Sequence, residues 1–298
     1  MFSGSIPALV TPFRDGGVDE EAFRRLIDFQ IESGSSALVP CGTTGEASTL
    51  TNAEHHRVIE ICVEHTAGRV PVIAGCGSND TANALMHMTF SKRYGASAAL
   101  VVAPYYNRPS QAGLIAHFSH LAERCELPII LYNYPGRMSV EMGREFLDRV
   151  GRSKNVIGIK ESSGDINRVH LLARDYPHIQ MSCGMDDQAL EFFAWGARSW
   201  VCGGSNFLPA EHIALWRACA VEGNFTKGRR IMSALMPLMR VLEQGGKFIQ
   251  CIKHGCEMNG FHAGPPRPPL KGLNKDDKRQ LEQVVRVLKR TVAEIEAE

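Results

Sequence analysis

The sequence predicts an α/β fold, a closed (β/α)8 TIM barrel with a C-terminal helical extension. Eight short apolar, β-branched runs recur at intervals of roughly 20 to 35 residues. Helical segments with apolar residues three or four apart lie between them, and no G-x-G-x-x-G or Walker loop follows any run to suggest a doubly wound nucleotide-binding sheet. Near-continuous apolar strands alternating with amphipathic helices require parallel pairing and right-handed crossovers, because each strand must be covered on its outer face. Eight such units close without leaving an edge.

In chain order the runs are SIPALVTPF (5–13), SALVPCG (36–42), PVIAGCG (71–77), AALVVAPYY (98–106), PIILYNYP (128–135), VIGIKES (156–162), IQMSCGMD (179–186) and WVCGGSN (200–206). Asp19 before EEAFRRL is a helix N-cap, and Thr51 with Glu54 has capping-box spacing. After Asn206 the pattern becomes helix upon helix. AEHIALWRACAVEG completes the outer ring, so the barrel is expected to occupy residues 1–224 and the helical extension 225–298. Within the extension, Pro265, Pro266, Pro268 and Pro269 force an extended crossing before the last helix.

Composition narrows the function. The 298 residues are 44% hydrophobic and 22% charged, near the globular average, and no stretch reaches the ~18 to 20 apolar residues that would cross a bilayer. A net charge of +1 offers no footprint for nucleic acid. The amino terminus has neither a charged leader nor a small-residue cleavage site, and a cytoplasmic enzyme is expected. Nine cysteines, none in a C-x-x-C pair and most inside apolar segments, read as reduced structural thiols. Cys251 and Cys256 flank His254, but without a second half they make no metal site, and neither a metal nor a cofactor is expected.

In a barrel of this kind the active site lies at the C-terminal ends of the strands. The sixth run ends on Lys160. An apolar pocket penalises the ammonium form of a lysine, and the free amine attacks a ketone or aldehyde to form a Schiff base. Lys160 therefore either turns into the barrel as a nucleophile or leaves the strand end for solvent. Neighbouring runs add compatible groups: Tyr132 in YNYPGR as a proton carrier, Thr43 and Thr44 in GTTGE to hold a carboxylate, and Arg137 as a second carboxylate clamp. Together they describe a site for an acidic carbonyl compound.

GTTGE, PYYNRPS, YNYPGR and GIKES, in that order, resemble the dihydrodipicolinate synthase and N-acetylneuraminate lyase superfamily of Schiff-base barrels, and with the helical tail the likeness spans essentially the whole chain. The resemblance implies a lyase in which Lys160 forms the imine with pyruvate or a related 2-oxo acid. It makes Tyr132 the proton relay, with Thr44 linking it to a Tyr106 supplied by the adjacent subunit, and hence a homotetramer built as a dimer of dimers. It gives Thr43 and Thr44 the keto-acid carboxylate and Arg137 the second substrate's carboxylate, and puts the Val201 carbonyl beside the keto acid. Among its reactions, condensation of pyruvate with aspartate semialdehyde fits best. Met138, QGGKFIQCIK and Ser163 depart from the synthase pattern around the distal substrate. They leave 1-pyrroline-4-hydroxy-2-carboxylate deamination, ketodeoxy sugar-acid dehydration or aldol cleavage, and a non-catalytic carboxylate-binding role as alternatives.

Overall fold

The computed structural model describes residues 2–243 and 245–298. A buried strand, β1 (Gly4–Pro7), leads into a small hairpin of β2 (Phe13–Arg14) and β3 (Gly17–Val18), then α1 (Glu20–Glu32). The second run and α2 (Asn52–Thr66) follow, then β4 (Ile73–Gly75) with α3 (Thr81–Tyr94) and β5 (Ala98–Val102) with α4 (Gln111–Arg124). β6 (Ile129–Asn133) carries a short α5 (Pro135–Met138) and α6 (Arg144–Val150). β7 (Val156–Glu161) is followed by α7 (Ile166–Asp175), β8 (Gln180–Cys183) by α8 (Ala189–Ala194), and β9 (Ser199–Cys202) by α9 (Pro209–Trp216). Three long helices end the chain: α10 (Phe225–Glu243), α11 (Phe248–Met258) and α12 (Lys275–Glu296).

The strands pair in parallel in the order β1-β9-β8-β7-β6-β5-β4. Parallel bridges from Ala8 to Val39 and from Leu38 to Val72 carry the sheet across the remaining gap, so the second run is the eighth stave and the barrel closes. The expected run of 36–42 is cut short there. Only Leu38 and Val39 join the ladder, because Pro40 has no N–H to donate and Cys41 turns to a φ of 56°. The fourth run is trimmed likewise: pairing ends at Val102, and Tyr105 and Tyr106 lie in the turn beyond Pro104.

Strand alternation divides the apolar residues into two cores. One fills the barrel with Ile6, Ala8, Ala37, Val39, Ile73, Ala98, Leu100, Ile130, Tyr132 and Val201. The other lies between strands and helices and includes Phe23, Phe118, Phe146, Phe192 and Trp200. Both predicted helix starts form: Asp19 accepts from Ala22 N, and Thr51 with Glu54 makes the reciprocal capping box. α10 packs on α8, α9 and α12, holding the last helices against the strand β8 and β9 side. All nine cysteines are buried and unpaired. No helix among the described residues is long and apolar enough to cross a membrane.

Four histidines are buried inside this frame. Desolvation holds His55, His117 and His212 down at about 4 and His87 at about 3, from an ordinary 6.5. The unfolded chain binds these protons first, so the stability present above pH 6.5 falls as the pH drops towards 4. Urea unfolding at a series of pH values should lose on the order of several kcal/mol across that window. A flat profile would contradict the assignment of these rings as neutral.

Candidate active site

β7 places Lys160 and Glu161 on opposite faces of the barrel wall. Lys160 points inward, between Tyr132 of β6 and Ser182 of β8 in the ladder, and is 7% exposed. Its Nζ lies 4.4 Å from the centre of the Tyr132 ring. Of the two orientations open to the sequence, the barrel interior is the one adopted. Space for the side chain comes from Gly184, just after β8: a Cβ there would sit 2.6 Å from Lys160 Cγ and 2.7 Å from its Cε.

The outward neighbour holds the wall in register. Glu161 accepts from Asn133 Nδ2 at 3.0 and 2.9 Å, from Ser163 N at 2.8 Å and from the Arg168 guanidinium at 3.2 Å. Asn133 Oδ1 in turn takes the Met142 N–H at 3.0 Å. The Asn of YNYPGR and the Glu of GIKES are therefore a buried clamp between the ends of β6 and β7, a role that sequence reasoning missed although both motifs were in view.

The loop Gly42–Glu46 brings Thr43 and Thr44 to the same rim. It is pinned at its far end, where Glu46 takes a φ of 56°, accepts Arg267 N at 2.8 Å and meets Lys253 Nζ of α11 at 2.7 Å. Both members of this ion pair are buried. Burial pulls the Lys253 ammonium below the usual lysine range against the opposing pull of Glu46.

Thr43, Thr44, Tyr132, Arg137, Lys160 and Val201 all line one pocket. Arg137, on α5, is exposed at the rim with its Cζ 5.3 Å from the Tyr134 ring centre. A second chamber, which includes Tyr105 and Ser48, shares Thr43, Tyr132 and Arg137 with the first. Tyr106 is the predicted residue that this chain does not bring in: it is 84% exposed and lines neither space, its backbone N–H bound to Asn79 Oδ1. The pocket also contains Gly184, Asp186, Gly203, Glu243 and Phe248, which the sequence reading did not single out. The glycines ending two strand runs were a usable signal, since a strand-end glycine often marks close approach. Nothing in the sequence tied Glu243 to a rim some eighty residues earlier, whereas Phe248 lies in QGGKFIQCIK, the segment that the family resemblance had set around the distal substrate. Asp186 is fully buried; burial pushes its carboxyl up to about 6, opposed by the Trp200 indole N–H at 2.8 Å and by Lys160.

A family model described as the dihydrodipicolinate synthetase family matches residues 1–288. The chain belongs to that family. It is 59% identical to a protein of Novosphingobium aromaticivorans named 4-hydroxy-tetrahydrodipicolinate synthase, over 80% of this chain and 81% of the relative. Among solved structures, the 4-hydroxy-tetrahydrodipicolinate synthase of Methylacidiphilum fumariolicum SolV superposes with a TM-score of 0.94 at 34% identity, covering 100% of this chain and 99% of that one. The chloride-inhibited dihydrodipicolinate synthase of Acinetobacter baumannii, solved with pyruvate, gives a TM-score of 0.90 at 33% identity over 97% of this chain and 99% of that one.

Removing the partner of a buried charge is costly, so Lys253→Met should destabilise this dihydrodipicolinate synthetase family member by about 3 kcal/mol or more in urea unfolding. Glu46→Gln combined with Lys253→Met should recover most of that loss. Equal losses in the single and double variants would show that the ion pair is not what holds the Thr43 loop.

Proposed function

We propose that this enzyme is a class I lyase that condenses pyruvate with aspartate 4-semialdehyde to 4-hydroxy-tetrahydrodipicolinate through an imine on Lys160. The observation that carries the reading is the lysine at the end of β7, buried within a barrel and stacked near a tyrosine ring, in a chain 59% identical to a named synthase. Lys160 Nζ attacks the keto carbon of pyruvate and water leaves. The iminium withdraws electrons from the methyl carbon, which loses a proton and then attacks the aldehyde carbon of the second substrate. The amine of that substrate displaces Lys160 from the keto carbon, closing the ring and freeing the enzyme. No cofactor enters this sequence.

Tyr132 is the natural carrier for the protons, being the phenol nearest in the ladder to Lys160. Thr43 and Thr44 hold the pyruvate carboxylate, the Val201 backbone carbonyl faces the keto acid, and Arg137 takes the carboxylate of the semialdehyde in a two-pronged pair. Thr44 passes protons from Tyr132 towards Tyr106 of a neighbouring subunit. The exposure of Tyr106 and its absence from its own chain's pocket support that exchange. The working unit is then a homotetramer, a dimer of tight dimers, in the cytoplasm, with a small 2-oxo acid as its partner and neither nucleic acid nor membrane.

Borohydride added after incubation with pyruvate should fix a mass increase on Lys160 in the intact protein, and Lys160→Ala should abolish both the adduct and turnover. Tyr132→Phe should cut kcat by about a hundredfold or more while leaving the fold intact. A wild-type enzyme that forms no adduct with any 2-oxo acid would overturn the reading.

A further inference from the structure

The end of α10 and the start of α11 both reach the Lys160 pocket. The last residue of α10, Glu243, lines it together with Phe248, the first of α11. α10 packs against the turn Asp186–Gln188, and Gly203 at the end of β9 leaves the place where the Phe248 ring lies, for a Cβ there would be 2.5 Å from Phe248 Cζ. Glu243 is exposed at the rim as a residue, yet it belongs to the same pocket wall as Arg137 and Lys160.

The charges around Glu243 are of both signs. Asp186 and Asp187 come from the turn after β8, Arg137 from α5 and Lys160 from β7. Desolvation, followed by repulsion from Asp186, pushes the Glu243 carboxyl up to about 7 against the pull of Arg137 and Lys160. A carboxyl poised there exchanges protons readily at neutral pH. The second substrate of the reaction proposed above is a zwitterion, with an α-carboxylate and an α-ammonium on one carbon. Arg137 answers the first of these charges, and a pocket complementary to the whole molecule requires an anion for the second.

Resting on that reading, we infer that Glu243 binds the α-ammonium of the amino-acid semialdehyde and accepts the proton that this nitrogen must lose before it attacks the imine carbon. In that step a nitrogen–hydrogen bond breaks and the proton passes to Glu243. The freed lone pair forms the new carbon–nitrogen bond. A second proton moves from the substrate nitrogen to Lys160 Nζ as the bond from Nζ to carbon breaks, and the ring carbon–nitrogen double bond forms. No oxidant or further reactant is needed.

The inference separates the two substrates, and so does its test. Glu243→Gln should leave borohydride trapping of pyruvate on Lys160 and the KM for pyruvate within about twofold of the wild type, while the KM for aspartate semialdehyde rises about tenfold or more. The acidic limb near pH 7 in kcat/KM for the semialdehyde should flatten in Glu243→Gln and persist in Glu243→Asp. Inhibition by succinate semialdehyde, which lacks the amine, should be unchanged in both. An unaltered KM for aspartate semialdehyde, or an equal rise in both substrates' KM values, would overturn the role of Glu243. Failure of the wild type to trap pyruvate would instead remove the imine reading beneath it.

Discussion

The position of Lys160 depends on what its neighbour does on the other side of the wall. Successive strand residues point to opposite faces, so an inward Lys160 requires an outward Glu161, and that carboxylate is buried among helices rather than in water. Burying it is tolerable only because Asn133, Ser163 and Arg168 supply its hydrogen bonds. The same bonds join β6 to β7 at the level where Tyr132 and Lys160 face each other, reinforced by Ser162 N donating to Asn133 O at 2.9 Å. Lys160 and Tyr132 are held by two polar side chains that do not line the pocket. Any sliding of β7 by one residue would exchange the amine and the carboxylate, putting an uncompensated charge on each face.

A second polar core joins the Thr43–Thr44 loop to the C-terminal helices. Lys253 of α11 meets Glu46, and Arg267 from the proline-rich crossing donates its backbone N–H to Glu46 and forks Glu54 at the start of α2. Both cations also lie on the Phe13 ring, at 4.2 and 4.3 Å from its centre. The loop that faces the pocket thus takes its shape from residues more than two hundred positions away. The long helices after α9 do more than cover apolar surface: α11 pins the loop after the second stave through Lys253, and Glu243 of α10 and Phe248 of α11 line the pocket.

Much of this was legible in the sequence because it follows from local pattern. The eight staves, their helices and the capping box at Thr51 are set by spacing alone, and so is the pairing of a strand-end lysine with a tyrosine on the neighbouring strand. Thr43, Thr44, Arg137 and Val201 converge as expected because all of them sit at strand ends or in the loops that follow, which meet at one rim. Strand lengths were overread where proline ends the ladder, at Pro40 and Pro104. Glu243 was out of reach for a different reason. Its place in the pocket is decided by how α10 packs on the turn after β8, a long-range contact with no periodic signature.

Close packing makes an open pocket in a barrel core something that must be kept open, since apolar side chains from eight strands would otherwise fill it. Here two glycines do so at adjacent strand ends. Gly184 lets the Lys160 stem lie against backbone, with Ser162 Oγ donating to Gly184 O at 2.8 Å to fix that backbone in place. Gly203 accepts the Phe248 ring, which brings the start of α11 to the pocket wall. A methyl group at the first would drive the lysine off its position, and one at the second would displace the Phe248 ring. The amine and the Phe248 ring are therefore placed by the absence of side chains on β8 and β9 as much as by the presence of their own.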